Sequence, residues 1–449
     1  MRRFSLLVKA VSLAAVLVVL MMGLSMIGGL ANERVAYRAQ AAASIEGSLA
    51  GAQTLAGMVL TRRCVETFET TVIKDKEKTV ERSEVRTVLR SLPQSSSWTT
   101  ESKIEPRYRG LYKVNSYALN AEEVVDWKTA RDLAALPLKA PAVAVRCDAP
   151  LIEFTVTDPR GIRAVRLRGP NGDLEVKPSS NGGTFNRGFE AKLPVAENGL
   201  DAPLRLRLVV DLVGIESVGF VPLAVDNTVT LKSDWPHPSF GGEFLPLTRT
   251  VSAQGFDARW SVSSLAAQAR SQLGSSAAGC AQARSSTKGC LQSFGVDFID
   301  PVNPASLSDR ATKYGILFIV LTFAGIVLLE VLKGQAVHPV QYLLIGAAMA
   351  VFFLLLLSLS EHIAFIKAYV TAALACVALL TVYAKAVLGG WQRALPMSAG
   401  LAVLYCVLYL VLQSEQHALL AGSLLVFAVL AGVMLLTRHV KWGGLNEGA

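Results

Sequence analysis

The sequence predicts a membrane protein of six transmembrane α-helices, one N-terminal and five C-terminal, with a large β-rich domain between them that reads as an antiparallel sandwich. Three observations predict it. Of 449 residues 52% are apolar and 18% charged, and the mean hydropathy is positive. That balance excludes an ordinary soluble enzyme, and abundant aliphatic residues with no Gly or Pro period exclude a disordered or collagen-like chain. Uncharged runs of span length occur once near the N-terminus and five times from Tyr314 onward. The intervening residues 32–311 carry most of the charges and nearly all the turn residues.

The first span, within residues 1–31, is the run Ala10–Ala31, long enough for the roughly 20 helical residues that cross a hydrocarbon core. Arg2, Arg3 and Lys9 precede it and keep the N-terminus cytoplasmic. Gly29-Leu30-Ala31 would pass as a signal-peptidase site, but the run exceeds the roughly 7–15 residues of a signal peptide's apolar region, so an uncleaved anchor is the better reading. Either way the next residues lie outside the cytoplasm.

The segment 312–442 holds Tyr314–Leu332, Pro339–Ser360, Ile363–Ala384, Ala394–Gln413 and Ala418–Thr437. Their short connections force antiparallel neighbours, and a helix is the one single segment that satisfies its own backbone in lipid. Loops assigned to the cytoplasm hold Lys333, Lys385 and Arg393, and Arg438 and Lys441 lead into a cytoplasmic tail over 443–449; the opposite side holds only Lys367. That asymmetry places both termini inside.

Within 32–311 three stretches alternate as strands do: Ala144 through Val156, Leu204–Leu208 and Thr228–Lys232. Asp158-Pro159, Pro170-Asn171-Gly172-Asp173, Asn181-Gly182-Gly183 and Glu197-Asn198-Gly199 mark turns. Val35–Gly57 and Val262–Leu273 read as helices, Lys74–Lys78 as a solvated hairpin tip, and 274–289 as a loop.

Cys280 and Cys290 bracket that Ser/Ala/Gly loop and are the predicted disulfide; closing about 11 residues is worth on the order of 2–3 kcal/mol. Cys64 with Cys147 is the remaining option and stays open. Cys376 and Cys406 lie inside spans and read as packing residues.

No Walker A loop, Gly-x-Ser-x-Gly elbow, His-Glu-x-x-His helix or Cys-x-x-Cys pair occurs, so no catalytic residue, cofactor or metal is expected. A net charge of +9 suits membrane lipids as a partner, and nucleic acid is excluded by the compartment. Glu361 and His362 end the third span and Glu415 and His417 the fifth, on one membrane face. Together they could hold a divalent cation or relay protons, but polar residues where helices leave lipid are the plainer reading. Span centres hold no ionisable group, while Glu330, Lys367 and Lys385 sit towards span ends, from which they can snorkel. Proton-coupled transport is thereby disfavoured.

From Asp309-Arg310-Ala311-Thr312-Lys313-Tyr314-Gly315-Ile316-Leu317 onward the chain resembles the CreD family of inner membrane proteins, the cell envelope integrity family. The similarity continues through Leu321-Thr322-Phe323, His338–Leu344 and Leu354–His362, and includes Ser233-Asp234-Trp235-Pro236-His237-Pro238-Ser239-Phe240 with Phe244-Leu245-Pro246. The resemblance implies a multi-pass protein of the bacterial inner membrane with a periplasmic domain, linked to a two-component envelope or carbon-source response. It brings no biochemical activity and no catalytic residue. Pro236 and Pro238 restrict Trp235 and His237 to extended backbone and make the string unsuited to a central strand. Trp235, His237 and Phe240 are therefore either a partner surface or, the preferred reading, a plug at the sandwich end.

The expected function is a non-enzymatic contribution to envelope integrity or envelope stress response, by binding or scaffolding through the outer domain, with other envelope proteins as candidate partners. The alternative is a transporter or lipid-handling protein acting through the C-terminal bundle. A third is an envelope-modifying enzyme using Glu361, His362 and His417. Ligand identity, oligomeric state and sheet order are not legible.

Overall fold

The computed structural model describes every residue except 1, 75–76, 136–137, 139–141, 180–187, 196–198, 276–290, 301–303, 334–336, 414–417 and 439–449. The chain forms two compact units, one of residues 40–301 and one of residues 1–39 with 302–449.

In chain order the first elements are α1 (Arg2–Ser48), β1 (Gln53–Lys74), β2 (Glu77–Ser91), β3 (Ser95–Arg109) and β4 (Tyr112–Trp127). They are followed by β5 (Ala142–Cys147), β6 (Leu151–Val156), β7 (Ile162–Gly169), β8 (Gly172–Leu174), β9 (Val176–Pro178) and β10 (Gly188–Lys192). Next come β11 (Leu204–Ile215), β12 (Ser217–Phe220), β13 (Asp226–Ser233), β14 (Pro238–Gly242), β15 (Thr248–Ser252) and β16 (Gly255–Ser263). A short helix α2 (Ala269–Ser275) precedes β17 (Phe294–Phe298).

These strands build two sheets. One runs β14-β17-β12-β1-β6-β10-β9, with β2 and β5 also paired to β1; the other runs β15-β16-β13-β3-β4-β11-β7-β8. Alternation supplies the core between them. Along β11 every second residue from Leu204 to Leu212 is buried, and along β4 so are Leu119, Ala121, Glu123, Val125 and Trp127. Trp260, Phe154, Leu60 and Leu206 fill the middle at essentially zero exposure. The predicted sandwich is antiparallel at every described pairing but two: β1 with β12 and β3 with β13 run parallel. Both join strands more than a hundred residues apart, where no hairpin dictates direction.

Two helix expectations need correction. α1 ends at Ser48 rather than Gly57, because Gln53 is fixed by bonds from its side-chain amide to the carbonyls of Asp158 and Val213 and the chain is already pairing as β1. The stretch Val262–Leu273 is helical only from Ala269; Val262 is buried in β16 opposite Asn227, so its period of two wins. Cys280 and Cys290 lie outside the described residues. The run Lys74–Lys78 falls at the reversal between β1 and β2, where Lys74 pairs with Glu77.

The other unit contains the N-terminal part of α1 and five helices: α3 (Pro304–Lys333), α4 (Pro339–Ser360), α5 (Phe365–Leu388), α6 (Trp391–Gln413) and α7 (Ala418–Thr437). Among the described residues α1, α3, α4, α5 and α6 each hold a stretch long and apolar enough to cross a membrane, and α7 adds 20 residues without a charge. Glycine lets helices approach. A Cβ on Gly346 would lie 2.2 Å from Leu20 and one on Gly315 about 3 Å from Leu24 and Phe353, so α1 packs on α3 and α4 at these two points. Phe352 joins Tyr369 and Tyr405 edge-on behind them.

Candidate functional site

The string 233–240 begins where β13 ends. Ser233 Oγ accepts the Trp235 amide at 3.2 Å, and the Asp234 carboxylate accepts the Ile104 amide at 2.9 Å. The prolines then lead into β14, an edge strand in which Pro238 lies opposite Phe298, as its missing N–H requires. Phe240 stacks edge-on against Phe256 and Trp260 and closes the end of the core. Arg249 lies over its outer face at 5.7 Å.

Trp235 is half-buried and its indole N–H donates to the carbonyls of His237 (2.9 Å) and Ile299 (3.2 Å). Lys113 completes the cluster: its ammonium sits 5.4 Å from the Trp235 ring and 3.1 Å from Asp300. Two residues on, the Asn115 amide donates to the Phe298 carbonyl at 2.8 Å. Trp235, Lys113 and Asn115 thus hold residues 298–300, the last before the chain passes to α3. Of the three residues singled out in sequence, Phe240 and Trp235 pack onto the core and His237 is exposed.

Of the polar residues predicted at the span ends, Glu361 and His362 are among the described residues. Glu361 caps α4 and pairs with Arg34 of α1 at 3.0 Å, while His362 is exposed. Glu415 and His417 lie outside the described residues. Among the described residues no group of three or more His, Cys, Asp or Glu could hold a metal.

Sequence reasoning missed two clusters. In the helical unit Glu330 is not a lone snorkelling group: it is bonded to the Lys9 ammonium, accepts the Tyr342 hydroxyl at 3.1 Å and accepts the Val337 amide at 3.1 Å. Charges 321 residues apart meet here, and no local spacing announces such a pair. In the β unit Glu123 is 1% exposed and accepts Ser96 Oγ at 2.8 Å and the Met58 amide at 3.1 Å. That amide is freed by a register shift between Leu55 and Gly57. Gly57 has φ +77°, and a Cβ there would meet the Glu123 carboxyl at 2.6 Å, so the bulge and its glycine make the carboxyl's niche. Burial pushes the Glu123 carboxyl up to about 8 against the pull of its two donors. Its signal was the alternation of Leu119-Asn120-Ala121-Glu122-Glu123-Val124-Val125, whose inner register includes residue 123.

The other cysteines are now placed. Cys64 lies opposite Cys147 in the β1–β5 ladder, and the two are disulfide-bonded across 83 residues of chain. Cys376 is buried beneath the Tyr405 hydroxyl, as a packing residue should be, but Cys406 is exposed on α6.

Comparison with known proteins settles the family. The family description "Inner membrane protein CreD" matches residues 5–443. The chain belongs to the CreD family. It is 32% identical over 436 residues to Inner membrane protein CreD of Escherichia coli strain K12, covering 97% of this chain and 93% of that protein. With its series of span-length helices, this CreD family member is a multi-pass inner membrane protein. Membership adds no catalytic role to Trp235, His237 or Glu330.

Proposed function

We propose that this inner membrane protein supports cell envelope integrity without catalysing a reaction, through a periplasmic β domain that binds or scaffolds envelope components. The observation that carries the binding role is the β1–β2 ribbon. The two strands pair without interruption from Leu60–Ser91 to Lys74–Glu77, whereas β5 accompanies β1 only as far as Phe68. Beyond that point it is a two-stranded ribbon, and residues 80–86 are exposed throughout, Val80 and Val85 included. A hairpin of two strands is marginal by itself in water and presents two unpaired edges. An arm of this kind suits strand addition or lateral contact with a partner.

The periplasmic placement rests on other supports. A persistent disulfide such as Cys64–Cys147 belongs in an oxidising compartment. Lys and Arg crowd the loops on one side of the spans. Lys9 pairs with Glu330 and Arg34 with Glu361, so each end of the first span bonds to the helix end that alternate threading assigns to the same side. Both termini are then cytoplasmic. The bundle reading is weaker, because Glu330, the acidic group in the C-terminal half of α3, is committed to Lys9.

The test has two parts. Alkaline phosphatase inserted at Gly172, in the β7–β8 turn, is expected to be active; an inactive insert in a stably inserted protein would contradict the sidedness. Shortening the ribbon by joining Phe68 to Ser83, paired neighbours in the ladder, is expected to leave insertion intact and fail to restore resistance to envelope-active agents in a strain lacking the protein. Full restoration would overturn the binding role of the arm.

A further inference from the structure

We propose that a second copy of this chain docks on the free edge of β2, the two strands pairing antiparallel about a twofold axis at Ser83. The inference rests on the reading of the β1–β2 ribbon as a binding arm and names what its β2 edge binds. Among the described residues β2 is bonded to no strand but β1, and its 15 residues contain no proline and no register shift. Residues 80–86 are all exposed, Val80 at 59% and Val85 at 48%. An edge of this kind is a template for another strand. Charges usually guard such an edge, but guarding needs like charges to meet, and here a twofold brings unlike ones together.

Charge complementarity selects the second copy. Two identical antiparallel strands in one sheet are related by a twofold axis normal to it, which keeps every side chain on its own face. A residue of even number therefore meets only even-numbered residues, and an odd one only odd. With Ser83 opposite itself, Arg82 faces the second copy's Glu84 and Glu84 faces its Arg82, two opposite-charge pairs on one face. On that face Val80 lies opposite the second copy's Arg86, whose aliphatic stem covers it. Within its own hairpin Arg82 donates Nε to Glu69, directly across the ladder, at 2.7 Å. A guanidinium has further donors for a second carboxylate, so Arg82 lies in a row between Glu69 of its own chain and the second copy's Glu84. Other placements of the axis lose this match. One residue back sets Arg82 against Arg82; one residue forward sets Glu84 against Glu84 and Arg82 against Arg86. An axis at Val85 pairs Glu84 with Arg86 but carries the contact into residues 87–90, which are half-buried and adjoin Ser91, whose hydroxyl is bonded to Asp132.

A contact of about seven residues a side is at the weak, transient end of protein interfaces, so the experiment traps it. Residues directly opposite in an antiparallel pair have Cα atoms about 4.5–5.5 Å apart, within the roughly 4.4–6.8 Å that a disulfide spans. Ser83→Cys in the full chain, oxidised in its own membranes, is expected to give a disulfide-linked dimer. Its yield should be several-fold above those of Val85→Cys, of Asp173→Cys as a measure of chance collision, and of the parent, whose Cys406 is exposed. Adding Glu84→Arg to Ser83→Cys sets Arg82 against an arginine in both copies and is expected to cut the yield about tenfold. Adding Arg82→Glu instead should do the same, and co-expressing these two chains with different tags should restore the link as a heterodimer. A Ser83 yield no higher than that of Asp173, a maximum at Val85 instead, or a yield indifferent to Glu84→Arg would overturn the proposal. If the protein with the shortened ribbon loses resistance while Ser83→Cys gives no dimer, the arm binds something else and the dimer alone fails. If Ser83→Cys gives the dimer and the shortened protein keeps full resistance, the dimer stands and the arm's role in envelope resistance fails.

Discussion

The β unit buries Arg62, Glu123 and Glu153 at 7%, 1% and 4% exposure and bonds each to backbone or hydroxyl groups: Arg62 donates to the Asp148 and Leu133 carbonyls, Glu123 accepts from Ser96 and Met58, and Glu153 accepts from Thr61. The helical unit pairs Lys9 with Glu330 and Arg34 with Glu361 at the ends of the apolar runs, and within the spans uses hydroxyls, Tyr369 to the Tyr405 carbonyl and Thr381 to Ser398. The contrast teaches where spare backbone groups exist. A helix consumes its own amides and carbonyls, so a charge along it must find another charge or leave for the interface. Loops and bulges in a sandwich leave backbone groups over, such as the Met58 amide beside Gly57, and these can bond a buried polar side chain.

The largest test of that contrast is the pH dependence of the β unit. Its folded state holds the Glu123 proton up to about pH 8, far above the ordinary value of 4.5. Glu123 therefore contributes most below pH 4.5, and the contribution is lost as pH rises to about 8, at about 1.4 kcal/mol per pH unit. Glu123→Gln, whose amide oxygen can accept the Met58 amide while its NH2 donates to Ser96 Oγ, is expected to flatten this slope and to leave the variant more stable than the parent at pH 8. Denaturant unfolding followed by tryptophan fluorescence in detergent reads both; parallel pH profiles would break the comparison on the β side.

On the helical side, Lys9→Ala leaves Glu330, among the described residues, with Tyr342 and the Val337 amide. A loss of about 2 kcal/mol is expected, below the 3–5 of a fully buried pair because both side chains keep some exposure. Lys9→Ala combined with Glu330→Gln should recover most of it. A double variant no better than the single one would show that the pair is not the unit that matters.

The smallest effects sharpen the Trp235 cluster. Trp235→Ala removes two hydrogen bonds and the ring under Lys113, and is expected to cost about 1–2 kcal/mol and lower the amount of inserted protein. His237→Ala, exposed and beyond the core, should stay within about 0.5 kcal/mol. Normal expression of the Trp235 variant with a lost envelope phenotype would favour a partner surface; lost expression, with His237→Ala unchanged, would favour the plug.

Much of the frame was legible in the sequence because it depends on local pattern. Pro339–Ser360 and Ala418–Thr437 recur as helices with the same bounds, and Leu204–Leu208 and Thr228–Lys232 fall inside strands, since uncharged length and a period of two are properties of the segment itself. The long strands β1 to β4 were harder. Their mixed and charged outer faces, as in Val65-Glu66-Thr67-Phe68-Glu69, blur the alternation that the buried face keeps. Of the candidate site, the aromatic string was visible as a string, but Lys113, Asn115 and residues 298–300 are distant in the chain and carry no common motif.

By itself, then, the sequence determined that one β-rich insert lies between a single apolar helix and a series of them, because transfer from water and backbone self-satisfaction are decided segment by segment. Only the tertiary structure decided that Cys64 faces Cys147, that Lys9 meets Glu330 and that Glu123 is enclosed by the Gly57 bulge. Each depends on register or on the packing of remote segments, and a one-residue slip in either would turn the same side chains to the opposite face.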